Sequence, residues 1–192
     1  MLQFRKNLFD PRRLVVLIGL SGSGKSYIAR YLEKFGYTVL RSDEIRKLLA
    51  GINPYTNAKS EFGKGIYTEE MTKKVYQTMV SKAKEILSHG GKVVLDATFL
   101  KNWQRELVLR NFPSATFIWV WAPEEVVIQR LKTRKGDISD ADVSVYRKQK
   151  EIFEPPTELL RTFVIQSEEK EKLKNLLGLN LGYGQPKLRG FL

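Results

Sequence analysis

Residues 14–26 read LVVLIGLSGSGKS, an apolar run that continues directly into a glycine-rich loop ending in lysine and serine. The loop, Gly19 to Ser26, fits the pattern G-x-x-x-x-G-K-[ST], and a helix-forming stretch follows it. This strand, loop and helix are the context that a phosphate-binding P-loop requires. The alternative is a glycine-rich turn before an ordinary helix, which the coincidence of lysine, hydroxyl and flanking elements disfavours. The sequence therefore predicts that the chain binds a nucleoside triphosphate.

The residue types of the loop suit the chemistry of phosphate binding. Its glycines allow positive φ angles and bring backbone N–H groups against phosphate oxygens, while the following helix presents its positive end. Lys25 is expected to reach the β- and γ-phosphates, and the Ser26 hydroxyl to ligate Mg²⁺. We therefore predict that ATP, or GTP, and Mg²⁺ are bound by Gly22, Ser23, Gly24, Lys25 and Ser26.

Length and composition exclude several classes of protein. A chain of 192 residues suits one domain with a substantial core. It contains no cysteine, which excludes a disulfide scaffold, a thiolate zinc site and a cysteine nucleophile. The apolar run from Leu14 to Leu20 is too short to span a bilayer and has no cleavage-site pattern after it. A cytoplasmic protein without membrane contact is the expectation.

The chain is strongly basic. It has 33 Lys and Arg against 21 Asp and Glu, a formal net charge of +12. Such an excess favours polyanionic partners, either nucleic acid or a heavily phosphorylated substrate. A solvated basic surface is an equally good explanation, because net charge alone does not identify a partner. A nucleic-acid acceptor is therefore a candidate that charge supports without deciding.

Strands and helices alternate along the chain. The predicted strands are 14–18, 37–40, 92–96, 115–121 and 162–166, and the predicted helices lie near 27–32, 43–50, 68–88, 102–111, from 123, after Ser139 with Asp142 in a partial capping box, and 168–177. This pattern predicts an α/β fold, the three-layer P-loop NTPase fold, with a parallel sheet of about five strands, helices on both faces and a lid. We expect a basic extension at 1–13, one P-loop domain at 14–177 with its lid at about 130–142, and an irregular tail at 178–192.

Ligands of such a sheet lie outside the carboxyl ends of its strands, so polar residues there are candidates for chemistry. Asp43 follows the second strand and is placed to accept a proton from an attacking hydroxyl. Arg46 lies three residues on, on the same helical face, where it could hold an acceptor phosphate. In isolation a helix cap and a solvated arginine would be the better interpretation, but the P-loop reverses that preference. The chain's one histidine, His89, lies at a predicted helix end, so the base must be a carboxylate.

Two further segments carry candidate residues. Asp96 ends the third predicted strand as in a Walker B element and could hold Mg²⁺ or its bound water, with Thr98 reaching the acceptor pocket. A helix-capping acid is the alternative. Arg130 and Arg134, four residues apart and so expected on one helical face, predict a basic lid that neutralises charge during phosphoryl transfer. A solvated basic face is the alternative there.

With these motifs the chain resembles a family of P-loop kinases that includes the phage-type polynucleotide 5′-hydroxyl kinases and the gluconate kinase-like and zeta-toxin-like enzymes. It is most similar to AAA-type predicted kinases that occur alone or fused to an aminoglycoside-phosphotransferase-like domain. The resemblance covers about residues 14–163 and rests on the P-loop, Ser42-Asp43-Glu44-Ile45-Arg46, Asp96-Ala97-Thr98-Phe99-Leu100 followed by Arg105, Arg130 and Arg134, and Ser139-Asp140-Ala141 leading to Gln149 and Phe153-Glu154-Pro155-Pro156.

The resemblance implies roles for matching residues. Asp43 would be the general base, Arg46 the contact to an acceptor phosphate, and Arg134 the group that stabilises the transferred phosphoryl. It also places Arg105, with Arg46 and Thr98, in the substrate-binding set. Thr98 departs from the asparagine of polynucleotide kinases, and residues 51–65 have no obvious counterpart in them.

The predicted activity is transfer of the γ-phosphate of ATP or GTP to a hydroxyl, with a polynucleotide 5′-OH end as the favoured acceptor. A kinase of a sugar, nucleoside or antibiotic is one alternative. An NTP-driven binding module or switch is another, although a switch has no need of Asp43 and Arg46 at the second strand end. A small-molecule kinase, in turn, has no need of a charge of +12.

Overall fold

Five parallel strands form the centre of the molecule. The computed structural model describes residues 9–55, 65–134, 142–157 and 162–179. The strands are β1 (Leu14–Ile18), β2 (Tyr37–Arg41), β3 (Lys92–Asp96), β4 (Thr116–Val120) and β5 (Thr162–Ile165). Their order across the sheet is β2-β3-β1-β4-β5, and each neighbouring pair is parallel. The predicted α/β class, with about five parallel strands, is confirmed.

Seven described helices cover the sheet. They are α1 (Lys25–Glu33), α2 (Ser42–Leu49), α3 (Glu69–Ser88), α4 (Asn102–Asn111), α5 (Glu124–Thr133), α6 (Val143–Ile152) and α7 (Lys170–Leu177). Short 3-10 turns at Pro11–Arg13 and Gly65–Tyr67 precede β1 and α3. Every residue of β1 is fully buried, as a central strand covered on both faces requires.

Alternate side chains of β1 enter two separate cores. Leu14, Val16 and Ile18 pack in a cluster with residues of α2, α3 and α4. Val15 and Leu17 pack on the opposite face, in a cluster with residues of α1 and α7. This alternation is the two-residue period of an extended strand, so one short sequence fixes helices to both faces.

The strand order also determines where a ligand can bind. From β1 the chain moves outward to β2, beyond β3, whereas from β3 it crosses to β4 on the other side of β1. Connections that leave neighbouring strands in opposite directions open a crevice at the carboxyl ends of those strands. In this fold the crevice lies where β1 runs into the P-loop and β3 ends at Asp96.

The prediction that Arg130 and Arg134 lie on one helical face is wrong. Helix α5 ends at Thr133, and Arg134 has an extended backbone (φ −63°, ψ 127°), so Arg130 and Arg134 do not share a helical face. The Thr133 hydroxyl donates to the carbonyls of Gln129 and Arg130, which satisfies acceptors of the last turn where the helix stops. Of the predicted lid at 130–142, the structure describes residues 130–134 and 142.

Helix α6 begins later than the sequence indicates. Asp142 is itself the N-cap, with an extended backbone, and its carboxylate accepts a hydrogen bond from the Val145 N–H at 3.0 Å. A carboxylate at this position complements the positive end of the helix and satisfies a free N–H group. Ser139, the expected start, lies outside the described residues, as does the part of the predicted tail from 180 onward.

The central strand should dominate stability. Leu17→Ala removes a fully buried side chain from β1 and should lower the free energy of unfolding by about 2–5 kcal/mol. Leu48→Ala makes the same chemical change on α2, where the side chain is 56% exposed, and should cost no more than about 0.5 kcal/mol. Urea unfolding of both variants measures the difference, and equal losses would contradict the central position of β1.

Candidate active site

A cleft of about 1210 Å³ opens at the carboxyl ends of β1, β2 and β3. The structure brings most of the predicted site residues to its walls. These are Gly22, Gly24, Lys25, Ser26, Asp43, Arg46, Asp96, Thr98, Arg130 and Arg134. Ser23 is an exception: its N–H donates to the Leu20 carbonyl and its hydroxyl is buried beside Gly19. Residues far apart in the chain therefore meet in one place, as the parallel sheet predicts.

The P-loop wraps the start of α1. Gly24 caps this helix with a left-handed backbone (φ 105°), and a Cβ there would lie 2.5 Å from the Cβ of Ser167, so only glycine fits. Lys25 follows, with its ammonium group turned back into the loop, where Nζ donates to the Leu20 carbonyl at 3.0 Å. The lysine is thus held inside the loop, at the position where phosphate oxygens would be bound.

Burial changes the acidity of Lys25. The pKa of its ammonium group is lowered to about 8, mainly by removal from water and in part by the nearby charges of Arg134 and Arg41. The carboxylates of Asp96 and Asp43 oppose this shift. These influences also show that the charges of both acids and both arginines act on the lysine, as expected for groups around one cleft.

Three side chains meet at the floor of the cleft. The Ser26 hydroxyl donates to Asp96 Oδ2 at 3.2 Å and accepts from Arg41 Nη2 at 2.7 Å. Arg41 Nε lies 3.4 Å from the same carboxylate oxygen. A hydroxyl and a carboxylate are the hard oxygen ligands that Mg²⁺ prefers, so Ser26 and Asp96 fit the predicted metal role. In the part of the chain that the structure describes, no group of three or more His, Cys, Asp or Glu could hold a metal alone. A metal here would need phosphate oxygens and water to complete its shell.

Asp43 and Arg46 come from the first turns of α2. Arg46 is only 6% exposed, stacks 4.9 Å above the centre of the Tyr67 ring, and donates from Nη1 to the Ile66 carbonyl and to Thr72 Oγ1. Its Nε is buried and has no hydrogen-bond partner in the described structure. A guanidinium on the wall of a cleft, with an Nε donor that no protein group among the described residues accepts from, is suited to an anionic group of a ligand.

The loop after β3 presents Thr98. The Tyr76 hydroxyl accepts a hydrogen bond from the Phe99 N–H at 3.1 Å and also bonds the Thr98 side chain. The Thr98 carbonyl accepts from the Gly19 N–H at 3.2 Å, which links this loop to the P-loop. Phe99, fully buried, has a positive φ of 48°. A non-glycine residue in this region costs roughly 1–3 kcal/mol and is found most often where a site needs an unusual chain path.

A protein-family model described as an AAA domain matches residues 14–156. The chain belongs to this family. A curated relative, an uncharacterized protein of Mycobacterium tuberculosis, is 28% identical over 138 residues, which are 69% of this chain and 28% of the relative. The AAA-domain chain thus spans little more than a quarter of the length of the curated relatives it matches first.

Other similarities support the same fold. A dephospho-CoA kinase from Carboxydothermus hydrogenoformans is 27% identical over 165 residues, covering 69% of this chain and 77% of that enzyme. The solved structure of a sugar kinase from Janibacter sp. HTCC2649 superposes with a TM-score of 0.66 at 19% identity, covering 86% of this chain and 92% of the other. The AAA-domain chain therefore has the fold of the P-loop kinases. None of its described helices has the length and apolar character needed to cross a bilayer.

Arg105 is not where the sequence predicts it. The side chain is fully buried in the AAA-domain core, outside the cleft, and Nη1 donates to the Phe99 carbonyl at 2.6 Å while Nη2 donates to Asn102. The expected direct contact with substrate is therefore wrong. Arg105 supports the loop that carries Thr98, and burial is possible because backbone and side-chain oxygens satisfy its charge.

Arg130 has a similar structural role. Its Nη1 donates to the carbonyls of Gly22 and Ser23, and its Nη2 donates to Ser167 Oγ at 3.1 Å. It therefore braces the P-loop against the segment after β5. Arg134 lines the cleft, and its charge acts on Lys25. Their predicted roles toward nucleotide and the transferred phosphoryl stay predictions.

Sequence reasoning gave no role to two residues that touch the predicted site. Arg41 reaches Ser26 and Asp96 because β2 lies beside β3, with Arg41 in register with Asp96. Gln149, 6% exposed on α6, accepts a hydrogen bond from the Ser21 N–H of the P-loop at 2.9 Å. Neither contact could be predicted from the spacing of residues along the chain, because each depends on which strands and helices become neighbours in the fold.

The pKa of Lys25 makes nucleotide affinity dependent on pH. Phosphate oxygens favour the protonated lysine, so nucleotide binding should raise its pKa and take up a proton whenever the free site is partly neutral. Affinity for ADP should be flat below pH 8 and fall up to about tenfold for each pH unit above it. Isothermal titration in buffers of different ionisation enthalpy measures the proton uptake.

Lys25→Met provides the matched control. The variant has no ammonium group, so its weaker ADP binding should show neither the proton uptake nor the fall in affinity. A wild-type affinity that stays constant from pH 7 to 10 would show that Lys25 does not titrate as described.

Proposed function

We propose that this chain is a phosphotransferase that moves the γ-phosphate of a nucleoside triphosphate to a hydroxyl group. The observation that carries the proposal is the shared cleft: Asp43 and Arg46 of α2 face the same space as Lys25 and Ser26 of the P-loop. A protein that only binds nucleotide needs the P-loop pair. A phosphotransferase also needs groups that bind and deprotonate an acceptor hydroxyl, and Asp43 and Arg46, just after β2, are suited to these roles.

Each residue contributes to one step. Lys25 would leave the Leu20 carbonyl for the β- and γ-phosphate oxygens, and Arg134 would balance charge on the phosphoryl group as it transfers. Asp43 would hold the acceptor hydroxyl and take its proton as the oxygen bonds to the γ-phosphorus and the bond to the β-phosphate oxygen breaks. Mg²⁺, bound through Ser26 and Asp96, would supply charge neutralisation on the phosphates. The products are the phosphorylated acceptor and a nucleoside diphosphate.

The only histidine of the chain is not available for this proton transfer. His89 directly follows α3 in an exposed position, where its Nδ1 lies 2.8 Å from the Glu85 carbonyl. It does not line the cleft. Asp43 is therefore the better-placed base, in keeping with the carboxylate that the composition predicts.

We infer an acceptor that carries an anionic group near its reacting hydroxyl, with a polynucleotide 5′-OH end as the favoured case. The unused Nε of Arg46 supports the anion, and the net charge of +12 supports the polynucleotide. A small-molecule acceptor is the second candidate. It is favoured by the names of similar proteins, a sugar kinase and a dephospho-CoA kinase. We assign the activity to a kinase domain at residues 14–177.

Asp43→Asn should separate binding from transfer. The amide cannot accept the hydroxyl proton, so turnover should fall by roughly 10² or more, whereas affinity for ADP should change little. Glu44→Gln is the matched control, since Glu44 is the next residue of α2 and lies outside the cleft lining. Steady-state transfer and equilibrium ADP binding are measured on all three proteins. An Asp43→Asn enzyme with native turnover would leave Asp43 as a residue of the helix N-terminus only.

A salt series should distinguish the two acceptors. Each backbone phosphate of a single strand that the protein neutralises makes log affinity fall by about 0.7 per log unit of salt. KM for a 5′-OH oligonucleotide should therefore rise steeply with salt, while KM for a free nucleoside should hardly change. Arg46→Gln should raise KM for the oligonucleotide more than for the nucleoside. Transfer to sugars or nucleosides with none to oligonucleotides at any salt would reject the polynucleotide and retain the kinase.

A further inference from the structure

Arg41 occupies the space in front of both predicted magnesium ligands. It is the last residue of β2, paired in register with Asp96 at the end of β3. Its guanidinium reaches sideways across the sheet edge, with Nη2 2.7 Å from Ser26 Oγ and Nε 3.4 Å from Asp96 Oδ2. One positive group therefore contacts the two oxygen atoms that a divalent cation would use.

The hydrogen bonds of this group engage two of the oxygen atoms that a metal would use. The Ser26 hydroxyl gives its proton to Asp96 and a lone pair to Arg41. Asp96 Oδ2 is shared between the hydroxyl and the guanidinium. The Asp96 side chain is 6% exposed and that of Arg41 is 21% exposed, so water screens their attraction only weakly. A metal ion that binds through Ser26 Oγ and Asp96 Oδ2 meets a like charge 2.7 Å and 3.4 Å from these two atoms, which favours displacement of Arg41.

We propose that Arg41 is a positioning residue that takes the place of the divalent cation in the nucleotide-free protein. It is displaced when the metal binds together with nucleotide. The inference rests on the proposed function, because it assumes that Ser26 and Asp96 serve a metal–nucleotide complex. Arg41 pairs with the buried Asp96 carboxylate and also donates to the Ser26 hydroxyl, which lies 3.2 Å from that carboxylate. The two ligands are thereby kept together before the metal binds.

This exchange makes metal binding depend on nucleotide. A free divalent cation would have to expel a like charge from a partly buried site, which is unfavourable. Nucleotide phosphates at the P-loop provide additional oxygens for the metal and an alternative anionic partner for the displaced guanidinium. Arg41 and the metal thus compete for the same two oxygens, and the competition is weaker once phosphates are present.

The test compares Arg41→Met with wild-type protein as full chains. Mn²⁺ binding is measured by electron paramagnetic resonance of the free ion, with and without saturating ADP and with no acceptor present. Removal of the competing cation should tighten Mn²⁺ binding at least about fivefold, the lower end of usual coupling between two ligands. The melting temperature without metal should fall and should recover with Mn²⁺ and ADP. Arg110→Met is the charge control, because Arg110 is 75% exposed on α4, and it should bind Mn²⁺ as wild type does.

The outcomes separate this inference from the proposed function. Unchanged or weaker Mn²⁺ binding by a folded Arg41→Met protein in the absence of ADP would overturn the role of Arg41 and leave the kinase proposal intact. Failure of the wild-type chain to bind ADP would count against the kinase proposal itself. If Arg41→Met does not fold, Arg41→Lys replaces it. The lysine side chain is shorter and lacks the planar guanidinium fork that reaches Ser26 and Asp96, so Mn²⁺ binding should again tighten, and no tightening would overturn the inference.

Discussion

The complete burial of β1 is the constraint on which the rest of this structure depends. A five-residue strand with no exposed side chain must lie inside the sheet with a strand on each side and a helical layer on each face. The P-loop begins where that strand ends. It therefore lies at the edge of the sheet formed by the carboxyl ends of all the strands. Asp43 and Asp96 reach the same edge because β2 and β3 are parallel to β1. The cleft is a consequence of strand direction, and its chemistry follows from which residues happen to end the strands.

The sequence could predict those features of the fold that depend on residues close together in the chain. Apolar runs and helical spacing predicted the five strands and most helices, and the lysine and serine of the P-loop identified the loop. Arg134 was misplaced because a helix end depends on which groups satisfy its last carbonyls, here the Thr133 hydroxyl. Arg105 was misassigned because a motif gives a residue type without its burial. The contacts of Arg41 and Gln149 could not be predicted, since strand order and helix docking bring together residues 55 and 128 positions apart.

Much of the polar surface of the cleft is satisfied by the protein itself. The Lys25 ammonium bonds a P-loop carbonyl, the Ser21 N–H bonds Gln149, and Arg130 bonds two further carbonyls of the loop. A loop rich in glycine would otherwise lose order, because glycine has the most conformational freedom to lose. These internal contacts keep the phosphate-binding conformation without phosphate. They also set the energetic reference for binding, since a ligand gains only the difference between its own contacts and those it replaces.

The strained backbone at Phe99 has a consequence for how this protein can change. Tyr76, Gly19 and Arg105 come from three different elements, and each holds the segment Thr98–Phe99 by a hydrogen bond. Replacing Tyr76 or Arg105 removes its hydrogen bond, and a side chain at Gly19 would bring a Cβ within 2.5 Å of the Val120 carbonyl oxygen and displace the backbone there. Each change would let the strained segment relax, so the two remaining hydrogen bonds would stabilise it less. Their substitutions should therefore be strongly non-additive. During evolution we therefore expect Tyr76, Gly19 and Arg105 to be replaced together. A combination of residues that is harmless in one related sequence would then be damaging in another.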